Sequence, residues 1–411
     1  MIRRYRRTAL SQYILVGLIL IALIILGYLF TMAMRSIPFE DHFALPWAAG
    51  RAWLLEGVNP YDADLAEIAE NAMAEAGFLG QLPEQVVLTH PAITLFLYLP
   101  FSLIPFSISR AIWMVILTVL IGMMVYLSIR FTEWSVSTLE EVGVYALLIL
   151  WYPGIYITLT GHLNLIFIFL ALLGLILIKS GRFQAAGFIL ALTAGLLPLV
   201  ILVIIFAVLW SIAKRQWSFL VAFFSGITFL MIVSLLMLPG WPLNWLRSVV
   251  QTYQDLSWIE TPLMTLATIL PGIANFISIA LHASFGIYLL VIWINIFRKP
   301  ERVFIWSALA VFVLSFLFDI QYSLFGLYLL IPALCLVIRF SFDRWGLIGK
   351  TIAWFILIII SAGSWLLMLP EIKFTGNLSV PVLTVGLPLI IFIGMVWIRW
   401  WAVKLTRLPR I

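Results

Sequence analysis

The sequence predicts an all-α integral membrane protein, a polytopic bundle of about 11–13 membrane helices. Composition is the first reason: of 411 residues 64% are hydrophobic and 10% charged, and the mean hydropathy is +1.14. A soluble domain carries roughly 25% charged residues. The second reason is the spacing of apolar runs. Ile14 to Phe30, Ala111 to Ile129, Leu165 to Ile178, Phe219 to Leu238, Thr351 to Leu369 and Val382 to Ile398 approach or reach the length that crosses a ~30 Å hydrocarbon layer. The third is where the basic residues fall, in the short breaks between runs.

Arg3, Arg4, Arg6 and Arg7 precede an apolar run without a small-residue cleavage site, which reads as a retained first span with a cytoplasmic N-terminus. The same rule accounts for the net charge of +6. Lys179, Arg182, Lys214, Arg215, Arg298, Lys299, Arg302, Arg339, Arg344, Lys350, Arg399, Lys404, Arg407 and Arg410 all sit inside if the spans from Leu165 onward alternate. No basic patch interleaves with stacking aromatics, so nucleic acid is not an expected partner. The lone cysteine, Cys335, excludes an intramolecular disulfide and a cysteine metal site.

The whole chain, 1–411, reads as one transmembrane domain with an extracytoplasmic loop at 35–89 and a second at 239–271. The first loop holds Glu40, Asp41, Glu56, Asp62, Asp64, Glu67, Glu70, Glu75 and Glu84, half of the 18 acids. Asp64, Glu67, Asn71 and Glu75 share one helical face and Leu65, Ile68, Ala72 and Ala76 another, with Gly77 as a C-cap, so an amphipathic helix along the interface is expected. Its acids read as a solvated face. Phe43 to Leu55, with Trp47 and Trp53, is apolar nearly all round and should pack into the interface.

His90 to Phe106 is interrupted by Pro91, Pro100 and Pro105 and is marginal for a crossing. Phe183 to Ala213 has to return to its own side. Pro198 in its middle suggests two half-length helices meeting inside the membrane, with a single kinked helix as the alternative.

Soluble-enzyme signatures are missing: there is no G-x-G-x-x-G, Walker loop, G-x-S-x-G elbow or H-E-x-x-H. His42, His90, His162 and His282 are scattered, so a zinc site is not expected; no cofactor is expected, and the sequence leaves a metal requirement open. The polar residues that remain gather at one membrane face. Asp41, flanked by Glu40 and His42, follows the first span closely, where a carboxylate against a low-dielectric wall is suited to accept a proton from a hydroxyl, or simply to solvate the loop start. Gly161-His162-Leu163-Asn164 places an imidazole and a carboxamide at a span start, for a ligand or for helix capping. Asp319 and Gln321 are polar in an apolar stretch, either functional or a turn.

The order of these features resembles glycosyltransferase family 87, within the GT-C superfamily of polyprenyl-phosphate-sugar-dependent transferases. Asp41-His42-Phe43 through Ala48-Ala49, Leu54-Leu55, Gly57 and Asn59-Pro60-Tyr61-Asp62 is similar to its first-loop pattern. Thr89-His90-Pro91 with Leu99-Pro100 and Leu103-Ile104-Pro105-Phe106 resembles its Pro-rich element. Gly161-His162-Leu163-Asn164-Leu165, with Gly181-Arg182 and Ala186-Gly187, resembles a Gly-Gln-x-Asn element and the span after it. Gln321-Tyr322 and Tyr328-Leu329-Leu330-Ile331-Pro332 resemble a later His-Tyr and Leu-Leu-Pro segment. Together they run from about 38 to 335.

That resemblance implies a GT-C-like bundle with amphipathic interfacial helices in the first loop. The implied enzyme is a hexosyltransferase, most often a mannosyltransferase in relatives, of the cell membrane and its envelope. It moves a sugar from a polyprenyl phosphate to a glycan, lipid or protein acceptor on the extracytoplasmic side. Asp41 matches the catalytic acid and would act as general base. His90 and His162 would hydrogen-bond charge developing at the donor, with Arg51 a further cation, and Asn164, Asp319 and Gln321 would line the substrate site. The family's usual Lys-Pro is Leu197-Pro198 here, so the lipid phosphate must find another cation. A transporter or flippase of a lipid-linked glycan is the alternative and would string polar residues across the bilayer; a noncatalytic relative is another.

Overall fold

The structure, a computed structural model, describes residues 2–61, 64–83, 88–254, 261–268, 270, 272–298, 303–319, 324–368 and 379–402. Gln321, Asp62, Glu84, Lys299, Arg302, Lys404, Arg407, Arg410 and most of the tip 370–379 lie outside the described residues. Among those described, six helices are long and apolar enough to cross a membrane: Val16–Ser36, Phe106–Phe131, Trp217–Met237, Ala274–Ile296, Leu324–Met368 and Val382–Arg399. Thr138–Ile149 and Tyr152–Thr160, bent by 52°, make a seventh if taken as one span, and Asn164–Lys179, Phe183–Gly195, Leu199–Ala213 and Phe304–Leu317 are shorter apolar helices. With these the bundle reaches the lower end of the expected range. The protein is an all-α, polytopic membrane protein.

The chain divides into two compact units. The first comprises 1–89, 95–119 and 158–162, and the second 90–94, 120–157 and 163–411.

The first unit starts with α1 (Ile2–Ser36) and a two-residue strand β1 (Phe39–Glu40). Helix α2 (Ala44–Arg51) follows and runs on through a π-helical turn, Ala52–Glu56. Helix α3 (Leu65–Ala76) is amphipathic as expected and ends on Gly77, whose φ of 68° is the left-handed C-cap. Its buried seam is Leu65, Ala69 and Met73 at strict four-residue spacing, while Ile68, Ala72 and Ala76 flank it half-buried. Asp64 is not merely solvated: its carboxylate accepts from the Glu67 amide and caps the helix. After α3 comes β2 (Gly80–Gln81), parallel to β1 with Phe39 opposite Gly80 and Glu40 opposite Gln81.

The Pro-rich stretch does not form a span. It folds into two single turns, α4 (Ala92–Leu95) and α5 (Leu99–Ser102), because each proline lacks the amide that would carry a longer helix through. Helix α2, expected at the interface, is instead buried within the unit from Ala44 to Gly50. The Trp47 indole donates to the Phe101 carbonyl at 2.9 Å, and the Ser102 hydroxyl donates to the Trp47 carbonyl at 3.0 Å. Helix α6 (Phe106–Phe131) begins directly after Pro105.

In the second unit, α7 (Thr138–Ile149) opens on a capping box in which Ser137 and Glu140 satisfy each other's backbone amides. Helices α8 (Tyr152–Thr160) and α9 (Asn164–Lys179) flank the Gly161 turn. The stretch 183–213 is a hairpin of half-length helices, α10 (Phe183–Leu192) and α11 (Leu197–Ala213), joined by a 3-10 turn over Thr193–Leu196. The rings of Phe183 and Trp210 stack with centroids 6.2 Å apart, so the end of α11 returns to the start of α10. This is the broken arrangement, not the single kinked helix.

Helix α12 (Trp217–Met237) lies against α10 in parallel. Gly187 faces backbone atoms of Phe219 and Phe223, and Gly226 faces the Ala191 methyl, so the two helices approach closely at both glycines. Further on are α13 (Trp241–Gln254), α14 (Ala274–Ile296), α15 (Phe304–Leu317), α16 (Ile331–Met368, broken at Gly346 with φ 53°), the single turn α17 (Ser379–Pro381) and α18 (Leu387–Ala402). Several basic residues that the charge rule groups together do meet. Lys179 binds Glu133 at 2.6 Å, Arg339 lies 3.9 Å from the same carboxylate, and Lys350 binds Glu140 at 2.8 Å.

A Cβ at residue 187 would lie 2.4 Å from the Phe219 carbonyl oxygen and 2.9 Å from the Phe223 amide nitrogen, backbone atoms that cannot step aside. Gly187→Ala is expected to lower stability by about 1–3 kcal/mol, read as a lower thermal midpoint in detergent. Gly122→Ala, where an added Cβ meets nothing within 4 Å, should leave the midpoint unchanged or raise it.

Candidate functional site

The chain from 39 to 44 is fixed by backbone hydrogen bonds on both sides. The Asp41 amide donates to the Gln81 carbonyl, extending the small sheet, and the His42 amide donates to the Thr160 carbonyl, both at 2.8 Å. The Asp41 side chain is thereby turned inward and is 0% exposed. One carboxylate oxygen, Oδ1, accepts from the amides of Phe43 and Ala44 at 2.8 Å each, which satisfies the orphan donors at the start of α2. The other, Oδ2, accepts from Arg110 Nε at 2.8 Å.

Arg110, one turn into α6, is also 0% exposed. Its Nη2 donates to the Leu159 carbonyl, and its guanidinium lies 5.7 Å from the ring centroids of both Phe39 and Phe43. Two buried charges in an apolar wall are tolerable only because each neutralises the other and most of their hydrogen-bonding atoms are occupied. Arg110 Nη1 is the exception: it is buried and has no hydrogen-bond partner among the described residues.

The turn after α8 completes the pocket around the arginine. Gly161 has φ 74°, and a Cβ there would lie 2.9 Å from Arg110 Cζ, so glycine serves both the backbone conformation and the room for the guanidinium. The Gly161 carbonyl accepts from the Trp113 indole at 2.9 Å. Trp113 stacks on Tyr98 at 4.9 Å, and the buried Tyr98 hydroxyl has no hydrogen-bond partner among the described residues. Burial pushes the pKa of that hydroxyl up, so it stays protonated as a donor.

His42 packs edge-on against His162, ring centroids 4.7 Å apart, and its Nε2 lies 3.7 Å from Glu40 Oε1. Burial holds the His42 imidazole down at about 4; Asp41 opposes that shift and Arg110 adds to it. At neutral pH it is an uncharged ring with one donor and one acceptor nitrogen. Among the described residues no group of three or more His, Cys, Asp or Glu side chains is arranged to hold a metal ion.

The structure thus brings Asp41, His42 and His162 together with Arg110, which the sequence reading did not single out. That arginine stands at the start of a span, immediately before the apolar run that begins at Ala111. An arginine at the start of a long apolar span, where charge is costly, was its signal. Arg51 is half-buried with its guanidinium 5.4 Å from the Trp47 ring centroid. His90, Asn164 and Asp319 belong to the second unit. Asn164 is the first residue of α9 and buried, while the cap position itself is Leu163. Asp319 is buried just past α15, its amide donating to the Phe316 carbonyl at 3.2 Å. Gln321 lies outside the described residues.

A model of glycosyltransferase family 87 matches residues 88–319, more than half of the chain. The chain belongs to glycosyltransferase family 87. It is therefore a membrane glycosyltransferase, with a sugar donor and an acceptor as its substrates. The matched residues include His90, Arg110, His162, Asn164 and Asp319, and they begin after Asp41 and Arg51. No curated protein matches the chain.

The depressed His42 value has a consequence for stability. It lies below the ordinary 6.5, so the unfolded chain takes up this proton first as pH falls. The contribution is intact above pH 6.5 and is lost progressively down to about 4. The thermal midpoint of the native protein should fall over that window more than that of His42→Gln. Parallel midpoint curves for the two would show that His42 carries no such linkage.

Proposed function

We propose that this family 87 glycosyltransferase moves a hexose, mannose being the leading candidate, from a polyprenyl-phosphate donor to an extracytoplasmic acceptor, with Asp41 as general base. The buried Asp41–Arg110 pair beside two imidazoles carries this reading. Transfer requires a base for the acceptor hydroxyl and positive charge for the phosphate that departs with the bonding electrons. Asp41 supplies the first and Arg110 the second, with His162 and the neutral His42 as hydrogen-bonding groups beside them.

In the resting geometry Asp41 Oδ2 is held by Arg110. An anionic donor phosphate competes for the same guanidinium, whose Nη1 lacks a partner. Donor binding then loosens the ion pair and frees Oδ2 for the acceptor hydroxyl, so the base is exposed only when the donor is in place. Arg110 also answers the absence of lysine at Leu197, being a cation committed to the Asp41 cluster. The hydrocarbon tail of such a donor explains catalysis built among membrane helices.

Complete burial of both charges favours a second reading, in which the pair is a clamp that fixes the first loop on α6 and performs no chemistry. Breaking one partner of a buried pair costs about 3–5 kcal/mol, so Asp41→Asn alone loses stability under either reading. The double variant Asp41→Asn/Arg110→Gln removes both charges and should recover stability. Sugar transfer by purified protein in lipid, measured from polyprenyl-phosphate-mannose and related donors, then separates the two. A base and its cation leave the double variant folded yet at least about 100-fold slower. A clamp lets activity return together with stability.

A further inference from the structure

A cavity in the first unit is lined by none of the residues of the Asp41 cluster. Helices α1 and α6 enclose a groove of about 500 Å³ lined on one side by Leu20, Ile24, Gly27, Tyr28, Thr31 and Arg35 and on the other by Ser107, Ile112 and Val115. Its floor is apolar, and its polar groups gather at the end where α1 finishes and α6 starts. None of the apolar window of α1 is buried within the protein, although the helix is held at its end by the Leu79 amide on the Met34 carbonyl, 2.9 Å. Gly27 marks a close approach, a Cβ there standing 3.6 Å from Val115 Cγ2.

Arg35 is built into this end of the groove. Its Nε donates to the Ala76 carbonyl at 3.2 Å, at the C-terminus of α3, which sets the direction of the side chain and leaves its two Nη groups without a partner among the described residues. No carboxylate pairs with it among the described residues. The groove runs along α1 from Leu20 to Arg35, about 22 Å at the helical rise of 1.5 Å per residue. That is one leaflet of a ~30 Å hydrocarbon core plus its headgroup layer.

We propose that this groove binds one anionic phospholipid of the surrounding bilayer, its phosphate on Arg35 and one acyl chain along the α1–α6 seam. The apolar floor matches an acyl chain, the length matches a single leaflet, and the cation sits at headgroup depth. Polyprenyl chains are much longer than the groove. The lipid supplies the packing that α1 does not make with its own protein, and so seats the helix that leads into β1 and Asp41.

The test uses the full chain in detergent, titrated with phosphatidylglycerol or phosphatidylcholine of identical chains, with bound copies counted by native mass spectrometry. The first phosphatidylglycerol is expected to bind roughly fivefold more tightly than phosphatidylcholine. Arg35→Gln should abolish that preference and Arg35→Lys keep most of it. Gly27→Leu, which fills the groove without touching the loop, should lower binding of both lipids. Equal binding of the two lipids by the native protein, a preference that survives Arg35→Gln, or binding undiminished in Gly27→Leu would each overturn the proposal. So would displacement of phosphatidylglycerol by equimolar undecaprenyl phosphate, which would assign the groove to an isoprenoid lipid.

Discussion

The arrangement of the first unit depends on one ion pair. Arg110 and Asp41 meet with neither side chain exposed, and in so apolar a chain their desolvation would be ruinous if either stood alone. The surroundings follow from that constraint. The two amides at the start of α2 give Asp41 the acceptor load that water would otherwise supply, the Leu159 carbonyl takes one arm of the guanidinium, and Phe39 and Phe43 offer it the faces of their rings. Gly161 is glycine because the arginine occupies the space a side chain would need. Three segments far apart in sequence, 39–44, 106–113 and 159–162, meet around Arg110, joined by the ion pair and the hydrogen bonds beside it.

The second unit is organised by shape. Its helices are apolar on nearly every face, so transfer from water says little about which surfaces meet, and small residues decide instead. Gly187 lets α10 touch the α12 backbone, Gly226 receives the Ala191 methyl, and Gly174 receives Leu190 between α9 and α10. A half-length helix such as α10 gains contact area from close approach that its length alone could not provide. The hairpin bend then leaves backbone groups that a straight helix would have paired, and the 3-10 turn over Thr193–Leu196, with the Thr193 hydroxyl donating to the Leu190 carbonyl, takes up part of that deficit.

Much of this was legible in the sequence because it follows from periodicity and composition. The bundle, the α3 helix with its Gly77 cap and the broken 183–213 hairpin all rest on local signals. What escaped was set by contacts across long stretches of chain. Helix α2 looks like an interfacial helix because its surface is apolar, and only the approach of Phe101 and Ser102 shows it to be interior. Arg110 borders an uninterrupted apolar run, and its partner lies 69 positions away, so the sequence reading passed over it.

The same pair bears on what kind of transferase this is. A lipid phosphate needs a cation that stays charged in a dry site, and arginine does so more dependably than lysine, whose ammonium surrenders its proton when buried. Under the proposed reading, the arrangement that gives this phosphate its cation is Arg110 beside the candidate base. It carries a cost: an arginine paired with the base keeps that base occupied until something more anionic arrives. Such a site would be silent towards the acceptor alone and would expose its carboxylate only to a bound phosphate, which makes the order of substrate binding a property of the ion pair itself.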